Sequence, residues 1–190
     1  MTDPIQVAPM PERTTTIAFT GHRPQALGGF APNLTHAWVR QTLASAIDAA
    51  LECGFTTFIS GMALGVDTWA AIEVLNRRGC GARLIAAVPF AGQESLWPAE
   101  ARRVYDFILG EAELLHVVSD GAYAPAKMHV RDKWMVDHAS GVIAVWDGRT
   151  NGGTFATVKY ARTEGLPLLQ IDPLQRRLVD MSEIPLLAPA

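Results

Sequence analysis

Thr56-Thr57-Phe58-Ile59 followed by Ser60-Gly61-Met62-Ala63-Leu64-Gly65-Val66-Asp67 runs from a β-branched, aromatic stretch into a turn with two glycines. The first stretch is the pattern of a buried strand. Trp69-Ala70-Ala71-Ile72-Glu73-Val74-Leu75 then reads as a helix that stops at Gly79. A strand-to-helix turn of this kind gathers free backbone N–H groups and the positive end of a helix dipole at one spot, which suits a phosphate or another anion. Gly61 and Gly65 are expected to supply positive φ and close backbone approach. The same spacing also serves a tight βα connection without a ligand.

The pattern repeats outward in both directions. Upstream, Thr16–Phe19 is an expected strand, and the loop Thr20-Gly21-His22-Arg23-Pro24 follows it. A helix over Leu34–Glu52 carries Val39, Leu43, Ala46, Ile47, Ala50 and Leu51 at the helical period, with Gly54 placed as its C-terminal cap. Downstream, strands are expected at Arg83–Val88, Leu114–Val118, Val142–Trp146 and Leu168–Ile171, with helices between them. The helix before Leu114 is expected to end at Gly110. These strands are short continuous apolar runs, as in a parallel sheet covered on both faces. The expected fold is α/β: a Rossmann-like open parallel sheet of about six strands with helices on both faces. Residues 1–13 read as a flexible leader, 14–175 as one domain and 176–190 as a tail.

Composition narrows the function classes. The chain has 190 residues, 49% of them hydrophobic, yet no run approaches the roughly 20 apolar residues that span a bilayer. Sixteen basic and 19 acidic residues give a net charge of −3, and no Lys/Arg block suggests duplex binding. Cys53 and Cys80 have no metal-ligand spacing and are expected to be reduced thiols in a cytoplasmic protein.

Ligands of open α/β sheets bind outside the carboxyl ends of the strands. The unusual residues collect there: Thr20–Pro24, Ser60–Asp67, Pro89–Trp97, Ser119–Gly121 and Asp147–Thr154 all follow strands. Gly152-Gly153-Thr154 opens the last long helix as a second anion cradle, in which Thr154 either adds a donor or only caps the helix. Asp67 and Asp147 are placed to accept from ribose hydroxyls or to order their own loops. Arg23, beside His22, suits a phosphate through its planar fork. Phe90 and Trp97 are candidates for stacking on a base or for packing. No Cys/His or Asp/His set has metal spacing, no nucleophile elbow is present, and no metal or required cofactor is expected.

Taken together these motifs resemble the SMF/DprA-LOG (SLOG) superfamily. Ser60–Asp67 resembles its Ser-Gly-x-Ala-x-Gly-[Ile/Val]-Asp motif. Thr20–Pro24, Pro89-Phe90 with Gln93 and Trp97, Trp134-Met135-Val136-Asp137, and Ala144–Gly148 with Gly152-Gly153-Thr154 resemble the YpsA-like branch, in order from about Thr16 to Pro173. The resemblance implies binding of a nucleotide or nucleotide derivative, as in signal sensing. The implied ligand-binding set is Thr20, Gly21, His22, Arg23, Ser60, Gly61, Met62, Gly65, Asp67, Pro89, Phe90, Asp147, Gly148, Gly152, Gly153 and Thr154. The related LOG-type phosphoribohydrolases offer an alternative, N-glycosidic hydrolysis of nucleoside monophosphates. Met128-His129-Val130-Arg131 resembles their Met-His-x-Arg, but Ala156 and Thr157 stand where they carry an acid. Catalytic candidates are then Arg131, Asp67 and Asp147, and hydrolysis is expected to be weak or absent. A second alternative, single-strand binding as in the DprA branch, would call for a basic, aromatic-studded groove that the sequence does not show. The expected partner is a small nucleotide derivative, with no membrane and no duplex DNA; self-association into a homo-oligomer is compatible with this reading.

Overall fold

The structure is a computed structural model, and it describes Met10 and residues 12–180. Residues 1–9 and 11 of the expected leader and residues 181–190 of the expected tail lie outside the described residues. The elements are β1 (Thr16–Gly21), α1 (Leu34–Glu52), β2 (Thr57–Ser60), α2 (Val66–Leu75), β3 (Arg83–Val88), α3 (Ala99–Glu111), β4 (Leu114–Val117), α4 (Pro125–Asp137), β5 (Gly141–Val145), α5 (Gly152–Thr163), β6 (Leu168–Asp172) and β7 (Arg177–Asp180). Among the described residues no helix is long and apolar enough to cross a membrane.

The strands form one sheet in the order β4-β3-β2-β1-β5-β6-β7. The first six run parallel, and β7 returns antiparallel to β6. The chain builds outward from β1 to β4, then crosses back to place β5 on the other side of β1. Crossovers of parallel strands keep one hand, so reversing the direction of travel moves the connecting helix to the opposite face. The packing follows this rule. Residues of α1, α2 and α3 (Val39, Leu43, Ile47, Val66, Val74, Tyr105, Ile108) fill one core layer with Phe19 and Phe58. Those of α4 and α5 (Met135, Val136, Val158, Ala161) fill the other with Ile59 and Val142. β5 is buried along its whole length, which accounts for its unbroken apolar run.

Several boundaries follow the expected chemistry. The Asn33 side chain caps α1 by accepting from the His36 amide at 3.0 Å, and Gly54 closes its other end. Two features differ from the sequence expectation. α2 ends at Leu75, four residues before Gly79, and α3 continues through Gly110 to Glu111. The sheet also has a seventh strand, in residues assigned above to the tail. Asp172 Oδ1 accepts from the amides of Leu174 and Gln175 at 3.0 and 3.1 Å, turning the chain into a hairpin. Because β7 buries none of its side chains fully, it carries no alternation by which a sequence could mark it.

Candidate functional site

The turn in strand order lies between β1 and β5, where Gly21 is paired with Val145 and the His22 amide donates to the Val145 carbonyl at 3.2 Å. Loops leaving the two strands diverge there and open a crevice, the place where α/β sheets bind ligands. A cavity of about 340 Å3 occupies it. It is lined by Thr20, Gly21, His22 and Arg23 after β1, Ala63 and Asp67 at α2, Met128, Arg131 and Asp132 on α4, and Arg149 with Asn151, Gly152, Gly153 and Thr154 at the start of α5.

The two glycine turns prove to be built differently. In the Ser60–Asp67 turn the amides of Met62, Ala63 and Val66 are taken up by the chain itself. Ser60 Oγ donates to the Asp67 carbonyl at 2.8 Å and accepts from the Met62 amide at 3.2 Å. Asp67 Oδ2 accepts from the Ala63 amide at 3.3 Å, so the acceptor in this cradle is a side chain of the protein. Ser60 and Met62 are fully buried, and Ser60, Gly61, Met62 and Gly65 do not line the cavity. Gly65 does take positive φ, 99°, and a Cβ there would stand 2.8 Å from Pro24 Cδ and 2.9 Å from the His22 carbonyl oxygen. Gly61 does not take it; the left-handed residue beside it is Met62, at φ 57°. Gly61 is needed for another reason. A Cβ would press into the Arg131 guanidinium and come within 2.8 Å of Asp67 Oδ2.

Arg131 is buried, with Nη1 bonded to the Gly61 carbonyl and 3.7 Å from Asp67 Oδ2, and Nε donating to Asp132 Oδ1 at 2.7 Å. Burial pushes the Asp67 carboxyl above its usual range, and the Arg131 charge only partly opposes this. Gln93 fastens the same turn from outside, Nε2 lying 3.2 Å from both the Met62 carbonyl and the Tyr105 hydroxyl. Burial drives that phenol up to about 12.

The turn before α5 is open. No side chain caps this helix, although Asn151 stands at its N-cap position. Nothing lies within 4 Å of where a Cβ would project from Gly152 or Gly153. The first-turn N–H groups of a helix have no partner within it, so they and the dipole are offered to the cavity. Arg23, exposed at the rim, makes no ion pair among the described residues.

Asp147 and Gly148 do not line the cavity. The Asp147 side chain is 4% exposed and is gripped by Arg149, whose Nε lies 3.0 and 2.9 Å from its two oxygens. His22 Nε2 stands 2.9 Å from Asp147 Oδ1. Burial pushes Asp147 up, but the bonds from Arg149 and His22 outweigh it and hold the carboxyl at about 2. Burial lowers His22 despite the carboxylate beside it. Trp146 Nε1 donates to the Arg149 carbonyl at 2.8 Å and so fixes the backbone of this loop.

The remaining sequence candidates sit elsewhere. Pro89 and Phe90 follow β3 outside the cavity, with Phe90 edge-on to Tyr123 at 5.8 Å. Trp97 packs edge-on against Tyr105 at 5.3 Å. Trp134 is sandwiched between His116 and His138, each ring 4.2 Å away. Asp137 accepts from the Tyr160 hydroxyl at 2.8 Å. Among the described residues no group of three or more His, Cys, Asp or Glu could hold a metal ion. Arg149 and Asn151 lie in the Asp147–Thr154 stretch expected at the rim but were not singled out in the binding set, and Gln25 was not expected there. Only the Asp147-Gly148-Arg149 turn carried a signal for Arg149.

An open parallel sheet whose loops converge on such a crevice, at the reversal of strand order, is the Rossmann-like class of ligand-binding domain. The chain belongs to the YspA SLOG family, whose YpsA profile matches residues 17–175. It is 31% identical to the SPbeta prophage-derived protein YoqJ of Bacillus subtilis over 118 residues, 55% of this chain and 68% of that one. With UPF0398 protein BH1768 of Halalkalibacterium halodurans it shares 26% identity over 167 residues, 86% of each chain. Among solved structures it resembles DNA processing protein A (DprA) of Streptococcus pneumoniae, with a TM-score of 0.57 and 19% identity over 82% of this chain. DprA of Helicobacter pylori, described for its single-stranded DNA binding mode, gives 0.57 and 18% over the same share. The chain spans 49% and 64% of those two structures, and the likeness is one of fold.

Proposed function

We propose that the protein binds a nucleotide or nucleotide derivative in the cavity between the β1 and β5 loops, with a phosphate on the N-terminus of α5. The observation that carries this reading is the uncapped, unfilled first turn of α5, facing a cavity of about 340 Å3 rimmed by Arg23 and Arg149. Backbone N–H groups and two guanidinium forks suit phosphoryl oxygens, and the volume falls in the range of small-ligand pockets. Across the cavity, Asp132 offers lone pairs to sugar hydroxyls. The single-strand binding of H. pylori DprA is consistent with a phosphate-bearing ligand for this fold.

The test is a thermal-shift screen of nucleoside monophosphates, ADP-ribose, NAD and cyclic nucleotides. A ligand at a hundred times its Kd adds about 2.7 kcal/mol of stability. The expected result is a clear shift with at least one phosphate-bearing compound and none with the corresponding nucleoside. Gly153→Asp places a carboxylate in the open turn and should abolish the shift while the variant remains folded. A flat response across the panel would refute the reading.

A further inference from the structure

We infer that Arg149 is a ligand-gripping residue held in reserve: its guanidinium exchanges Asp147 for the phosphoryl oxygens of the ligand, and His22 takes up a proton as it leaves. This rests on the phosphate site proposed above. Four observations support it. The Arg149 side chain is 47% exposed and lines the cavity, whereas the carboxylate it holds is buried behind it. Its backbone is pinned by Trp146 at 2.8 Å, so the side chain can swing without moving the loop. It stands three residues before the open turn of α5, within reach of an anion seated there. Finally, Asp147 has a second partner waiting, His22 Nε2 at 2.9 Å.

The charge balance makes the exchange a coupled event. With Arg149 in place, Asp147 is already neutralised and the Arg149 charge itself disfavours the imidazolium. Once Arg149 turns to a phosphate, a buried carboxylate is left facing an imidazole, and protonating that imidazole restores a buried pair. The other charges around His22 keep their own partners or stay at the rim. Arg131 and Asp132 on α4 bond each other, Asp67 of α2 faces Arg131, and Arg23 is exposed next to His22. Binding that takes up a proton strengthens as pH falls through the window between the His22 midpoints of the free and bound protein, and is flat above it.

Sulfate is the probe, because it is a tetrahedral dianion that does not titrate between pH 5 and 8. His22 is followed by NMR across that range in sulfate and in chloride of equal ionic strength, with the Gly152, Gly153 and Thr154 amides reporting occupancy. The expected result is movement of these amides together with a His22 midpoint shifted to higher pH. In Arg149→Ala the midpoint should already be high without sulfate and should not move on its addition, and sulfate should bind about tenfold more weakly. Asp147→Asn frees the guanidinium, so sulfate should bind at least as tightly, but with no carboxylate left to face the imidazole the His22 midpoint should no longer rise on its addition. Sulfate that moves the α5 amides but leaves His22 unshifted overturns the exchange while sparing the phosphate site. A shift that survives in Arg149→Ala means the anion acts on His22 directly and also overturns it. Unperturbed α5 amides at saturating sulfate overturn both readings.

Discussion

Gly61→Ala separates glycine as packing necessity from glycine as ligand cradle. At this position the backbone is in an ordinary region, so alanine should gain about 0.4–1 kcal/mol by restricting the unfolded chain. Against that, the new methyl would stand 2.6 Å from Arg131 Cζ and 2.8 Å from Asp67 Oδ2. Arg131 is 4% exposed and cannot retreat into water, so it must give up the Gly61 carbonyl and its place beside Asp67. Breaking a buried charged contact costs roughly 3–5 kcal/mol, which leaves a net loss of about 2–4 kcal/mol. This is a large share of the 5–15 kcal/mol that typically holds a domain. Urea unfolding followed by circular dichroism measures it: with a slope of about 1–3 kcal/mol per molar, the midpoint should drop by about 0.7 M or more. Gly153→Ala is the matched control, since nothing lies within 4 Å of its Cβ, and its midpoint should hold or rise. A Gly61→Ala midpoint within about 0.3 M of the parent would refute the argument that this glycine exists to admit Arg131.

Asp147, held at about 2, contributes stability that is present above its ordinary value and lost as pH falls toward 2; Asp147→Asn should therefore flatten the acid limb of a stability-against-pH curve. Asp67 works with the opposite sign. Its raised carboxyl favours the native state at low pH and loses that advantage as pH rises, so in Asp67→Asn the ratio of stabilities at pH 7 and pH 4 should increase. Purified protein incubated with nucleoside monophosphates should release no free base by chromatography, since Ala156 and Thr157 supply no carboxylate where the hydrolases carry an acid. Asp172→Ala removes the acceptor of the Leu174 and Gln175 amides, and hydrogen exchange across β7 should accelerate with little change in β1 to β5.

The order of strands and helices was legible because each of β1 to β6 is an apolar run and helical patterns separate them, with Gly54 marking the end of α1. β7 was not, having no buried face to impose a pattern. The rim position of the unusual residues could also be read, since placing loops after parallel strands follows from the class of fold alone. What could not be read was which of two similar glycine turns is already filled. Ser60–Asp67 and Gly152–Thr154 look alike as local sequences, and only the three-dimensional meeting of Asp67, Gly61 and Arg131, 70 residues apart for the last two, shows that the first is closed. Arg149, inside the expected rim stretch Asp147–Thr154, was not singled out for a related reason: an arginine in a surface turn looks solvated until the buried carboxylate beneath it is seen.

The seam between β1 and β5 joins residues far apart in the chain: the amide of Asp147 lies 3.2 Å from the ring of His22, 125 residues away. Contacts of such sequence separation are slow to form, because the chain entropy of closing the intervening loop is spent before any pairing repays it. A nascent chain halted before β5 contains β1 to β4 and α1 to α4, yet it lacks β5 and the α5 side of the cavity. A molecule seated across the seam would hold together the contact that forms late, and so would slow unfolding far more than it speeds folding. Occupancy would then be recorded as lifetime, in resistance to proteolysis as much as in a shift of equilibrium.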